Sequence, residues 1–168
     1  GLLSDRWGGG IFGMHDLIHD LAVSTAGLEF KMVRSKSDEI DERARHVSFI
    51  EADICWDSLS KVTHLQSLII ENNNVTNPQL TKLLRFSPHL RVLRLARVGM
   101  KEVPTSTGKL THLRHLDLSG NHFCKLPESV KQLVHLQSLD LSDCRSLKQL
   151  PREIGELSNL FSLDLTHC

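Results

Sequence analysis

Five times along the chain the sequence returns to the pattern L-x-x-L-x-L or a close variant: LQSLII, LRVLRL, LRHLDL, LQSLDL and LFSLDL. The first leucines of these segments, Leu65, Leu90, Leu113, Leu136 and Leu160, stand 25, 23, 23 and 24 residues apart. A fixed period of this size marks a stack of like supersecondary units, none of which can close a core by itself. Within each segment leucines alternate with polar residues at period two, which predicts a short strand with its leucines turned inward. Stacked side by side, such strands form a parallel sheet with neighbours about 4.8 Å apart. Each leucine removed from water contributes roughly 1.5–3 kcal/mol. Strands are expected near 67–70, 92–95, 115–118, 138–141 and 162–165. HVSFI at 46–50 reads as a degenerate first strand with Val47 and Phe49 inward. The fold class is therefore α/β, a solenoid with its parallel sheet on the concave face. A stack of this kind presents an extended open surface, which favours binding to proteins over catalysis in a pocket.

The intervening residues of the strands face outward. Between the last two strand leucines they read Ile69, Arg94, Asp117, Asp140 and Asp164. With His115, Ser138 and Ser162 they form the candidate interaction face. The three aspartates could receive a basic partner surface or be merely solvated, with Arg94 offsetting part of their repulsion by a cross-strand pair to Asp117. On this reading Leu116→Ala costs roughly 2–5 kcal/mol, and Asp117→Ala less than about 0.5 kcal/mol. Asn121, Cys144 and Cys168 stand eight residues after a first leucine, where a small polar side chain can serve backbone groups as the chain leaves the strand. Both cysteines are thus expected to be buried and structural. KLPESVKQL and QLPREIGEL place Leu-Pro at a turn, followed by apolar residues at i and i+3, so they read as short helical or irregular convex segments.

Bulk properties narrow the partners. Twenty basic and twenty acidic side chains cancel, so no net field argues for nucleic acid or an anionic membrane. No stretch approaches the roughly 18 apolar residues of a membrane span. Four cysteines without a C-x-x-C pair fit a reducing compartment, and a cytoplasmic location is expected. The sequon Asn74-Val75-Thr76 is the one opposing signal, favouring an extracellular repeat receptor. His64, His89, His112 and His135 each precede a first leucine and should stack in one column; Asn159 takes that place in the fifth repeat. The column resembles a metal ladder but reads more simply as a repeat position that accepts His or Asn.

Ahead of the repeats, MHDLIHDLAVSTA at 14–26 carries apolar residues at 14, 17, 18, 21 and 22, one face of an amphipathic helix over 14–25. Gly8, Gly9, Gly10 and Gly13 precede it and Gly27 ends it. The segment KMVRSKSDEIDERAR is charged and weakly periodic, a connector with partial structure. The domain plan is then residues 1–27, a connector over 28–45, and repeats over 46–168 that break off at a strand, as a fragment would. His15 and His19 at i, i+4 mimic a zinc-protease motif, but Asp16 stands where that motif has glutamate.

Met14-His15-Asp16, continued as Leu17-Ile18-His19-Asp20-Leu21-Ala22, resembles the MHD motif of plant nucleotide-binding leucine-rich-repeat immune receptors of the coiled-coil class. In that family a connector, a strand like ARHVSFI and leucine-rich repeats follow in the order seen here. The resemblance implies that residues 1–27 close a winged-helix region. It also implies that His15 reaches the phosphates of ADP in the resting state, with Asp16 supporting it. ADP and ATP would belong to the full-length receptor, because this chain has no G-x-x-x-x-G-K-[ST] and Gly108-Lys109 falls inside a repeat. The implied partners are proteins: the receptor's own nucleotide-binding and coiled-coil domains, and a pathogen effector or guarded host protein. An intracellular repeat scaffold for small-GTPase signalling is the alternative, since such scaffolds share the L-P-x-x-h-x-x-L wording. No nucleophile, base and orienting group recur together, so an enzyme is not expected.

Overall fold

The computed structural model describes residues 29–35 and 37–168. Seven strands, β1 (Phe30–Val33), β2 (His46–Ile50), β3 (Ser67–Glu71), β4 (Val92–Ala96), β5 (His115–Asp117), β6 (Ser138–Asp140) and β7 (Ser162–Asp164), form one sheet. They pair in chain order and every pair is parallel. The expected strands at 46–50 and from 67 onward are all present. The helix expected over 14–25, and with it Met14, His15 and Asp16, lies outside the described residues.

Register explains the core. Val47, Leu68, Leu93, Leu116, Leu139 and Leu163 align across β2 to β7, and the first five are at most 1% exposed. Phe49, Ile70, Leu95, Leu118 and Leu141 form a second buried row, and Leu65, Leu90, Leu113 and Leu136 a third. Leu163 and Leu165 are 41% and 39% exposed, because among the described residues no coil stacks beyond β7.

The sheet reaches one strand further toward the N-terminus than HVSFI. β1 lies within the expected connector and pairs Lys31 with Val47 and Val33 with Phe49. Only Val33 of its inward residues is apolar and buried, so the strand carries no repeat signature.

On the convex side the second and third coils carry helices α1 (Trp56–Leu59) and α2 (Asn77–Phe86), and later coils carry single 3-10 turns. α2 starts at Thr76, whose amide and hydroxyl donate to Gln79 Oε1 at 3.4 and 2.6 Å, part of a capping box. The 3-10 turns Thr105–Lys109, Glu128–Gln132 and Arg152–Glu156 each follow a proline with φ between −53° and −70°, the range the pyrrolidine ring fixes. The last two are the short convex segments expected from the Leu-Pro pattern, and the first follows Val103-Pro104. A Cβ on Gly108 would lie 2.3 Å from the Ser129 carbonyl oxygen, so this glycine serves close packing of adjacent 3-10 turns.

Each coil from β2 to β7 leaves its strand through one left-handed residue. Glu51, Asn72, Arg97, Gly120, Asp143 and His167 have φ between 51° and 65°. Each stands seven residues after Ala44 or a first leucine. A side chain in this region costs about 1–2 kcal/mol, except in glycine. The turn therefore recurs because the geometry of the stack requires it.

Candidate functional site

The concave face is built from two outward columns of the sheet. One reads His46, Ser67, Val92, His115, Ser138, Ser162, and the other Ser48, Ile69, Arg94, Asp117, Asp140, Asp164. All eight expected face residues thus share one surface. Rows separated by one strand spacing cover one another, however, and the face is less open than period-two alternation suggests. Arg94, Asp117 and Ser138 are buried, at 5%, 6% and 8% exposure. Ile69, His115, Asp140, Ser162 and Asp164 are half-buried.

At the centre of this face lies an ion network. Arg94 Nη2 is 3.1 Å from Glu71 Oε2 and its Nη1 is 3.4 Å from Asp117 Oδ2. Arg97 also pairs with Glu71, and its Nε donates to Asn72 Oδ1 at 2.7 Å. The cross-strand pair expected between Arg94 and Asp117 is present. The repeat pattern does not mark Glu71, which follows the last apolar residue of its segment; its alignment beside Ala96 brings it within reach of Arg94.

The aspartates are not merely solvated. Asp117 Oδ1 accepts the Ser119 amide at 2.9 Å, and Asp164 Oδ1 accepts that of Thr166 at 2.8 Å. Asp140 Oδ1 accepts the Ser142 amide at 2.9 Å and its hydroxyl at 2.6 Å. Each carboxylate therefore holds the backbone two residues on, a local Asx bond. Burial, with Asp117 beside it, raises the Asp140 pKa above its ordinary value. The hydrogen bonds from Thr166 lower that of Asp164. The near-neutral substitution expected for Asp117 is corrected accordingly: the side chain is buried, ion-paired and hydrogen-bonded. His115 Nδ1 lies 2.8 Å from Ser138 Oγ, tying neighbouring rows together.

Beneath the face, Asn121 is fully buried. Its Nδ2 donates to the carbonyls of Leu95 at 2.7 Å and Leu118 at 2.8 Å, and its Oδ1 accepts the amides of Val98 and Met100. This is the backbone service expected at its position. Cys144 is buried, donates to the Leu118 carbonyl at 3.2 Å, and has its thiol pushed up to about 11 by burial. Cys168 makes the matching bond to Leu141 at 2.9 Å but is exposed. The expected burial fails there because no described coil covers it.

On the rim, three of the four histidines of the expected column, His64, His89 and His112, stack. The rings of His64 and His89 stack at 6.2 Å and those of His89 and His112 at 6.4 Å. In the fifth repeat Asn159 Nδ2 instead donates to the Val134 carbonyl at 2.7 Å. No group of three or more His, Cys, Asp or Glu among the described residues is arranged to hold a metal ion. No described helix is long and apolar enough to cross a membrane.

The family profile described as leucine-rich repeat region matches residues 64–168. The chain belongs to the leucine-rich-repeat proteins. No curated protein matches it. Among solved structures it is similar to a leucine-rich-repeat protein of Leptospira interrogans, with TM-score 0.56 and 28% identity over 66% of this chain and 27% of that one. An internalin of Listeria monocytogenes gives TM-score 0.61 and 26% identity over 74% of this chain and 35% of that one. The Arabidopsis receptor kinase HAESA, solved with a peptide hormone and a co-receptor, gives TM-score 0.58. At 20% identity, over 76% of this chain and 22% of that one, the last shows the fold alone. The chain thus spans roughly a third or less of each of these relatives.

Proposed function

We propose that this leucine-rich-repeat protein is the sensing and restraining part of an intracellular plant immune receptor. The observation that carries the reading is an order of segments: Met14-His15-Asp16 within MHDLIHDLA, then a charged connector, then the repeats. The concave face would bind the receptor's own nucleotide-binding and coiled-coil domains at rest, and a pathogen effector or guarded host protein on recognition. Its acidic column suits a basic side chain on that partner, since Asp140 and Asp164 remain partly open beyond the Arg94 network. His15, with Asp16, would favour the ADP-bound resting state over the ATP-bound, oligomerising one in the cytoplasm of the plant cell.

A loss of about 2 kcal/mol of selective stabilisation raises the active-to-resting ratio about thirtyfold. In the full-length receptor, His15→Ala or Asp16→Val should therefore trigger leaf cell death without a pathogen. His19→Ala and Asp20→Ala, four residues later, should do much less. The measurement is cell death at matched expression of the four variants. If the first pair stays silent while the wild type remains inducible, the receptor switch is refuted and only a protein-interaction module is left.

A further inference from the structure

Two side-chain columns run together along the rim where each convex arc enters its strand. One is the stack His64, His89, His112 and the other is Arg45, Gln66, Arg91. The backbone fixes both. The amides of Gln66 and Ser67 donate to the Arg45 carbonyl at 2.7 and 3.0 Å, and those of Arg91 and Val92 to the Gln66 carbonyl at 2.8 and 3.1 Å. The six side chains line a groove of about 470 Å³ to which, among the described residues, no carboxylate contributes. Arg45 has Glu29 at 3.4 Å, with both side chains about half exposed. In a chain whose formal charges cancel, this rim is locally cationic beside a concave face that carries Glu71, Asp117, Asp140 and Asp164.

The spacing narrows the ligand. Stacked rings at 6.2 and 6.4 Å, inclined by 24° and 22°, do not converge on one ion, whose bonds to imidazole are about 2.0–2.1 Å. Alternate residues of an extended chain, by contrast, recur every 6.6 Å or so, twice the rise of about 3.3 Å per residue. That matches the ring spacing. A nucleic acid would bring a continuous polyanion past the acidic columns next door, whereas a peptide can place a few carboxylates on the rim alone.

We infer that this groove binds an extended acidic peptide segment of a partner protein, with carboxylates on alternate residues opposite His64, His89 and His112. Arg45 and Arg91 supply permanent positive charge, and imidazole N–H groups and the Gln66 amide donate hydrogen bonds.

The test titrates the whole chain, by fluorescence anisotropy, against a labelled heptapeptide with glutamates at alternate positions. The comparison ligands are an isomer with the glutamates consecutive and an oligothymidylate of equal charge. The alternating peptide should bind tightest and weaken with salt, and Arg91→Glu should lower its affinity about tenfold or more. His89→Asn, which installs the residue found at the equivalent position in the fifth repeat, should lower affinity several-fold while the melting curve stays that of the wild type. Absence of binding, equal binding of both peptides, preference for the oligothymidylate, or indifference to both substitutions overturns the inference.

Discussion

The coils of β2 to β4 and those of β5 to β7 share a register, yet they end their strands differently. The first three strands have five residues each and the last three have three. At the third position, which points outward, the longer strands carry Ser48, Ile69 and Arg94, and the shorter ones end on Asp117, Asp140 and Asp164. Each aspartate takes the amide two residues on, which withdraws that amide from the ladder, and backbone bonds between coils resume one residue later, from Gly120 to Ser142 and from Asp143 to Thr166. Where that side chain cannot do so, pairing continues through Ile50, Glu71 and Ala96. The shorter strands thus coincide with the aspartates, and the LDL wording of the later repeats carries a local backbone bond as well as a strand. Arg94 sits at the junction and spans both regimes, bound to Glu71 on one side and Asp117 on the other.

The largest effect is expected in what the two halves share. Leu116→Ala, in the fully buried row between them, should cost roughly 2–5 kcal/mol by urea denaturation. Leu163→Ala, at the open end of the same row, should fall well below that; equal midpoints would show that burial does not separate the two ends of the stack. Next comes Asp117→Ala, which takes one carboxylate from buried Arg94 and the acceptor from the Ser119 amide. Its expected cost is about 2 kcal/mol. Because the Ser119 amide loses its acceptor, hydrogen exchange there should accelerate in the same variant.

Asp140→Asn should give the smallest effect, with the opposite sign. Asparagine keeps an oxygen for the Ser142 amide and discards the charge. Because the folded-state pKa of Asp140 is raised by burial and by Asp117, the folded chain holds that proton more tightly than the unfolded one, and ionisation costs stability. The variant should therefore be more stable than wild type near neutral pH. The advantage should shrink as pH falls through the raised pKa and vanish below the ordinary carboxylate range. Urea midpoints for both proteins across that range check the sign, and a gap that widens on acidification would refute it.

The repeat strands were legible because a leucine is needed at every inward position of a shared core, so the period itself is the fold. The Asn121 position was legible for the same reason, since each coil must satisfy backbone groups at one place. β1 was not, because Phe30 and Met32 stand in outward register and leave Val33 as its only buried inward apolar residue. The role of the aspartates was hidden, as an outward carboxylate that grips its own backbone has the same sequence spacing as one in water. The left-handed turn was hidden too, with glycine only at Gly120. Asn72 and Asp143, which tolerate that conformation better than most residues, were the available signal. The histidine column was legible from spacing as far as His112, but its polar and basic neighbours emerged only once Arg45, Gln66 and Arg91 lined the same groove.

The convex elements carry a mechanical consequence. From first leucine to turn residue, every coil uses the same number of positions, so variation in coil length falls entirely on the outer arc. An α-helix such as α2 is wider than the 3-10 turns that replace it in later coils, while the strands opposite keep one spacing. Coils with a wider outer arc splay more, so curvature should be greatest around α2 and relax toward β7. A partner lying along the concave side would then meet a tighter bend at one end and a flatter one at the other, giving the surface a direction that its repeating leucines do not have.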